Sequence, residues 1–348
     1  MPVTRDPRDF NSVVDFDLTV EVNNLDRHYE MFNSSMFNMK PTTTNTVMFD
    51  FNKRNLTLLP SVPRGGRAST YGSDQESDTR IFGTAYFKHS DVVTPEDIEN
   101  ERAVGTPDGV TTLEQATAVK MRDMVTAAEE SEAYMMKKAV YEGKCVTPSG
   151  DIIVDIFQEL GETQEVFDLK LDVATTDVLS KLRELQDKIR LGLQNGGMYM
   201  GAMIDVDPVM FDKLVTHPSV KDAYKYFSQS NSNQRNGYMP LRDISDTFVH
   251  GGITFRRVQG SFNLPTGSSE KVIADNTGHV IPNANDLWRG YYGTSSKLSR
   301  VNGRGGVSLY YMHQYPDPRD EAYEMQLEMT RLYMPTKAKP LIKLTSTA

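Results

Sequence analysis

TTLEQATAVKMRDMVTAAEESEAYMMKKAVYEG, residues 111–143, is the stretch around which the rest of the chain is arranged. Thr111 followed three residues later by Glu114 is a capping-box pattern, in which each side chain satisfies a backbone N–H that the first helical turn leaves unpaired. Neither Pro nor Gly interrupts the run before Gly143, which stands where a left-handed C-terminal cap is wanted. Lys137 and Lys138 lie towards the negative pole of the helix dipole. Leu113, Met121, Met124, Ala128, Met135 and Ala139 recur at helical spacing and predict one buried stripe. At about 1.5 Å per residue the helix would be roughly 48 Å long, well beyond the globular average.

Upstream, residues 1–40 carry only a short alternating patch, Val14-Asp15-Phe16-Asp17-Leu18-Thr19-Val20, and read as an extended N-terminal arm. Residues 41–94 read as an extended β-hairpin loop. Residues 47–51 predict a strand, 52–55 a polar turn and 56–59 the return strand, which Pro60 and Pro63 stop. Arg64-Gly65-Gly66-Arg67 follows, then a polar stretch up to Arg80, before residues 81–87 resume strand character. So long a polar tip between strands is uncommon inside a compact domain and suits a loop that finds its order against a neighbouring subunit. Arg64, Gly65, Gly66, Arg67 and Arg80 are the candidate inter-subunit contacts. Thr94-Pro95-Glu96-Asp97 marks a short helix running to Gly105.

Downstream of the long helix, Val146, a turn at 148–151 and residues 152–157 predict a β-hairpin, closing a domain over 95–165. From 166 to 305 the pattern becomes α/β. Thr175 or Thr176 caps a helix with the stripe Val178, Leu182, Leu185, Ile189 and Leu193, and Asn195-Gly196-Gly197 ends it. Residues 198–206 read as a buried strand, Asp207-Pro208 opens a helix, and Ser219 with Asp222 caps the next. Strands are expected near 247–258 and 271–274, and paired terminal strands at 306–315 and 323–332 within a closing segment 306–348.

Composition removes several functions. The 348 residues carry 47 acidic and 38 basic side chains, a formal net charge of −9, and the basic ones are scattered. A protein that grips nucleic acid through phosphates needs clustered Lys and Arg. The single cysteine, Cys145, permits no intrachain disulfide, fits a reducing compartment and is expected to be a small buried residue. No apolar run reaches membrane-spanning length, and the opening MPVTRDPRDF lacks the apolar core of a signal peptide, so a soluble protein made in the cytoplasm is expected.

Catalytic signatures are equally sparse. There is no phosphate-cradling loop and no dinucleotide fingerprint. Gly303-Arg304-Gly305-Gly306 reads as a tight turn before a strand, and the six histidines show no pair at metal-ligand spacing. Asp205 and Asp207, at the end of a central strand, are the enzyme candidates: paired carboxylates there can hold Mg²⁺ for a cytoplasmic α/β hydrolase. An N-cap role before Pro208 explains Asp207 without catalysis.

The order of these parts resembles the major capsid proteins of lambda-like tailed bacteriophages, the capsid protein E family. The likeness covers residues 41–348. It rests on Arg64-Gly65-Gly66-Arg67 after a strand, and on Met121-Arg122-Asp123 within the helix that ends at Gly143-Lys144. Further matches are residues 204–211 with Asp207-Pro208, and the ending from Asp317-Pro318-Arg319 to Pro340-Leu341-Ile342. The resemblance implies an α+β chain with the Hong Kong 97 capsid fold: N-terminal arm, extended loop, peripheral domain with a spine helix, and an α/β axial domain around the five- and six-fold vertices. It implies hexamers and pentamers closing into an icosahedral head around double-stranded DNA, which the acidic chain touches weakly and without sequence preference. Implied partners are further copies, a separate scaffolding protein, a portal and a decoration protein. The protein would reside in the virion, without enzyme activity, metal, cofactor or membrane contact. No lysine and acceptor can be assigned for a covalent cross-link, so none is expected. The shell of a cellular nanocompartment shares the fold and is the alternative. Arg67→Glu should leave a soluble, folded subunit that assembles poorly, and normal shells in electron micrographs would count against the loop-contact reading.

Overall fold

The computed structural model describes residues 16–17, 36–54, 75–99, 113–193, 198–223, 247–298, 300, 306–317 and 321–347. The chain divides into two compact units. One comprises residues 1–47, 83–133 and 290–332; the other comprises 48–82, 134–289 and 333–348. The boundary between 133 and 134 falls within the long helix, which spans Leu113–Glu142. Its capping-box start and the predicted helix end at Gly105 lie outside the described residues. The helix closes as expected on Gly143, with φ +64°.

The first unit is built around a six-stranded sheet. Its longest strand, Tyr323–Pro335, pairs antiparallel with Tyr311–Pro316 and with Ala85–Val93. The first half of the long helix lays Ala116, Met121, Met124, Val125 and Ala128 into a core with Tyr310, Met312, Met325, Leu327 and Met329. Leu113, expected in the stripe, is instead exposed at 36 %. At the deep end of this core Arg331 is fully buried and pairs with the equally buried Glu132, while its Nη1 donates to the Leu309 carbonyl at 2.7 Å. Asp97 closes the short helix Pro95–Glu99 by accepting from the Thr94 amide at 2.8 Å and its hydroxyl at 3.1 Å.

A second six-stranded sheet forms the heart of the other unit. Tyr199–Val206 lies centrally, parallel to Ile253–Arg257 and antiparallel to Thr277–Ala284; Ile342–Thr345 and Glu165–Asp168 continue the sheet beyond. Phe248, Phe255, Ile204 and Val280 form one buried apolar row across it. The helix Val178–Gly192 covers this face: Lys181 and Lys188 hold their ammonium groups 5.4 and 5.3 Å from the Phe167 ring centroid. Val178, Leu182, Leu185, Ile189 and Leu193 are all buried, as their spacing predicts.

Local corrections are instructive. Thr176 closes a turn onto the Val173 carbonyl, so Asp177 caps the following helix instead of either threonine. His217 accepts from the Lys221 amide and its Nδ1 faces the Ser219 amide, which places Ser219 inside that helix instead of at its cap. The strand expected through 157 stops at Asp155, whose carboxylate caps the helix Ile156–Leu160. Residues 52–54 continue a strand, Thr46–Arg54, instead of turning, and its partner is Gln75–Gly83; residues 56–59 lie outside the described set. The single strand expected at 247–258 is a hairpin, because Gly251 and Gly252 take φ +60° and +79°. Of 271–274 only Lys271 is in a strand, Ser269–Lys271, paired with Ser261–Asn263. The terminal strands begin at Tyr311 instead of near 306 and run on to Pro335.

Two stability experiments follow from these contacts. A Cβ at Gly143 would fall 2.8 Å from both Ile156 and Phe157 at a left-handed φ, whereas Gly150, also left-handed at +96°, has open space. Gly143→Ala should therefore cost about 2–3 kcal/mol in denaturant unfolding and Gly150→Ala only about 1. Arg331→Met leaves Glu132 buried without its cation and should cost about 3–5 kcal/mol, most of it recovered by adding Glu132→Leu.

Candidate functional site

Of the residues nominated for subunit contact, Arg64, Gly65, Gly66 and Arg67 lie outside the described residues, and Arg80 lies within them. Arg80 stands on the ribbon formed by Thr46–Arg54 and Gln75–Gly83. Its guanidinium pairs with the Glu159 carboxylate of the same chain and sits 6.0 Å from the Phe51 ring centroid. Period-two alternation sorts the ribbon into two faces. Phe49, Phe51 and Phe82 are buried on the face that half-buried Arg80 shares, and the Arg289 guanidinium lies 5.0 Å from the Phe49 ring. On the opposite face Thr79 Oγ1 donates to Asp50 Oδ1 at 2.6 Å across the strands. Met48 and Ile81, two residues from that pair, share this outer face and are 72 % and 60 % exposed. A two-stranded ribbon that turns such apolar side chains to water leaves a hydrophobic surface open to contact.

The second half of the long helix runs through a polar interior. Across the second sheet, Thr247, Arg256, Asp205, His279 and Lys343 stand in one cross-strand row. Asp205 is fully buried: Arg256 Nε donates to Oδ1 at 2.8 Å and Nη2 to Oδ2 at 2.7 Å. Tyr141, from the last turn of the helix, completes the set by donating to Oδ2 at 2.7 Å. Its ring stacks on His279 with centroids 4.5 Å apart and planes 12° from parallel. Burial, reinforced by the positive charges of Lys343, Lys137 and Lys138, pushes the His279 imidazole down to about 3.

One turn earlier a second cluster joins the helix to the hairpin Ser261–Asn263/Ser269–Lys271. Glu270 Oε1 receives Lys137 Nζ at 2.6 Å and Lys138 Nζ at 2.9 Å, while Oε2 accepts from the Tyr134 hydroxyl at 3.0 Å. Partial burial opposes ionisation of Glu270, but the hydrogen bonds from Lys137 and Lys138 outweigh it and hold the carboxyl down to about 2. Phe262 packs edge-on against Tyr134 at 5.6 Å. The two lysines, read from sequence as dipole partners, are therefore hairpin anchors.

The carboxylates nominated for Mg²⁺ are committed elsewhere. Asp205 is held by Arg256 and Tyr141, and Asp207 Oδ2 accepts from the Val209 amide at 3.0 Å and the Asn276 amide at 3.1 Å, capping the helix Pro208–Thr216. The N-cap reading of Asp207 holds, and the Mg²⁺ pair is corrected: both oxygens of Asp205 and Oδ2 of Asp207 are engaged by donors of this chain. Among the described residues no group of three His, Cys, Asp or Glu is placed to hold a metal. Cys145 is buried, and burial pushes its thiol up to about 12. The Met48–Ile81 face was not among the contacts nominated from the sequence, although the alternation around Asp50 was a signal for it; nothing local announced the partners of Asp205 or Glu270.

Comparison with known proteins gives these features a family. The model of phage major capsid protein E matches residues 17–346. The chain is 24 % identical to the major capsid protein of Salmonella phage Felix O1, over 95 % of this chain and 96 % of that one. It is 26 % identical to that of Pseudomonas phage KPP10, over 84 % and 85 %. Among solved structures, a prophage capsid protein from E. coli CFT073 superposes with a TM-score of 0.57 at 11 % identity, covering 90 % of this chain and 92 % of that one. The α+β architecture is the Hong Kong 97 capsid fold that the family resemblance implies. The chain belongs to the phage major capsid protein E family.

Proposed function

We infer that this chain is the major capsid protein of a tailed bacteriophage, many copies of which close into the icosahedral head of the virion. The family match over residues 17–346 carries the reading. Its role is structural, and the commitment of Asp205 and Asp207 to internal hydrogen bonds supports a role without catalysis. The copies gather as hexamers and pentamers. Residues 1–40 serve as the arm, 41–94 as the extended loop, 95–165 as the peripheral domain, 166–305 as the axial domain, and 306–348 return to the peripheral domain. A scaffolding protein guides closure, a portal occupies one vertex, and a decoration protein adds to the shell. The packaged double-stranded DNA meets an acidic chain that does not grip it, consistent with the net charge of −9.

Within this assembly the outer face of the ribbon rests on a neighbouring subunit, with Met48 and Ile81 as its apolar anchors. Arg64, Gly65, Gly66 and Arg67 belong to the same loop and make the remaining contacts, while Arg80 fixes the ribbon's base through Glu159.

Electron microscopy of negatively stained protein, alone and with the scaffolding protein, tests the reading: closed shells, sheets or capsomer rings are expected, and a stable monomer or dimer under all conditions would overturn it. Met48→Asp with Ile81→Asp should leave the subunit's melting temperature unchanged, because both positions face water in the free chain. Closed-shell yield should fall by roughly tenfold or more, since an unpaired carboxylate pressed into a contact costs several kcal/mol. Undiminished yield would remove the ribbon face from the interface.

A further inference from the structure

The last turn of the long helix is held to the second sheet by groups of two kinds. Asp205 with Arg256 and Tyr141 is a fixed set of hydrogen bonds, with three donors on one carboxylate. His279 differs. It is 8 % exposed, its ring lies flat against Tyr141, and Nδ1 is buried with no hydrogen-bond partner among the described residues. The backbone of Tyr141 offers the ring a hydrogen bond that favours protonation, and burial outweighs it. The charged groups facing it are Lys137 and Lys138 from the helix and Lys343 from the adjoining strand, all cationic. The acid in its row, Asp205, is already matched by Arg256. Gly143, with its left-handed φ, ends the helix two residues beyond Tyr141 and marks where a lifted turn would break from the chain that follows.

We propose that the stacked contact between Tyr141 and His279 is an acid-sensitive catch, which seats the last turn of the long helix on the second sheet at neutral pH and releases it when the opened imidazole takes up a proton. The direction follows from linkage. The seated ring resists protonation down to about 3, whereas an imidazole opened to water titrates near its ordinary 6.5. The open form therefore binds more protons throughout the interval between these values, and the seated form loses ground as pH falls through it. Glu270, held down to about 2, stays ionised over the upper part of that interval, so its own latch persists while the catch loosens.

Hydrogen exchange of purified subunits and assembled shells, followed by mass spectrometry on peptides covering 135–143, tests this. After correction for the intrinsic pH dependence of exchange, opening of this segment should be roughly 30-fold more frequent at pH 5.0 than at pH 7.5. His279→Phe keeps a ring on Tyr141 and removes the titration; its response between the same pH values should shrink to within about threefold. His279→Gln, neutral and of similar polarity, serves the same purpose if the phenylalanine variant does not melt like the parent at pH 7.5. Equal pH responses in parent and variants would overturn the proposal. So would equal acceleration in peptides covering 199–206, which would mark loosening of the whole unit instead of release of the helix end.

Discussion

The buried carboxylate of Asp205 is the group on which the second unit's interior is organised. A lone carboxylate removed from water is strongly unfavourable, and it persists here because the Arg256 fork and the Tyr141 hydroxyl supply three donors at 2.7–2.8 Å. The donors arrive on two different elements. Arg256 comes from the neighbouring parallel strand, and Tyr141 from the end of the long helix. Satisfying one side chain thereby fixes strand register and helix position together. Apolar side chains of similar volume could hold these elements as firmly, but with less demand on geometry. The bidentate fork accepts one arrangement, so what the charge adds is position.

The same logic recurs along the helix. Glu132 meets Arg331 in the first unit, and Lys137 and Lys138 meet Glu270 in the second. From Glu132 to Tyr141 nearly every residue is buried, so the helix ceases to be amphipathic and becomes an interior strut with charges inside it. Each charge is matched by a partner distant in sequence. The earlier half, by contrast, buries a Met- and Ala-rich stripe against the first sheet. Methionine suits that surface because its flexible thioether fills irregular gaps between strands.

The ribbon shows where internal satisfaction stops. Its inner face is closed by aromatic rings and by Arg80 on Glu159, while Met48 and Ile81 face outward without cover in the single chain. In the assembly proposed above, this face would complete its packing against a neighbouring copy. The net acidity and the absence of any dense basic run in the sequence argue against tight binding of nucleic acid through its phosphates.

Interactions that act within about four residues were readable from the chain alone. Helix periodicity placed the Val178–Leu193 stripe, Asp207 before Pro208 announced its cap, Gly143 announced a helix end, and the order of elements pointed to the capsid family. Cap assignments slipped by one or two residues at Asp177 and His217, because several short polar side chains compete and the turn just before each helix decides between them. Only the tertiary structure decided which charges meet. Tyr141 reaches Asp205 across 64 positions, Arg256 across 51, and Arg331 reaches Glu132 across 199. In sequence Tyr141, Arg256, Arg331 and Glu132 were ordinary residues, and Asp205 stood out only beside Asp207. Their pairing depends on strand register and helix placement, which arise from burial of the whole core and have no local signature, so the chain's own letters could name the helices but not the buried contacts that seat them.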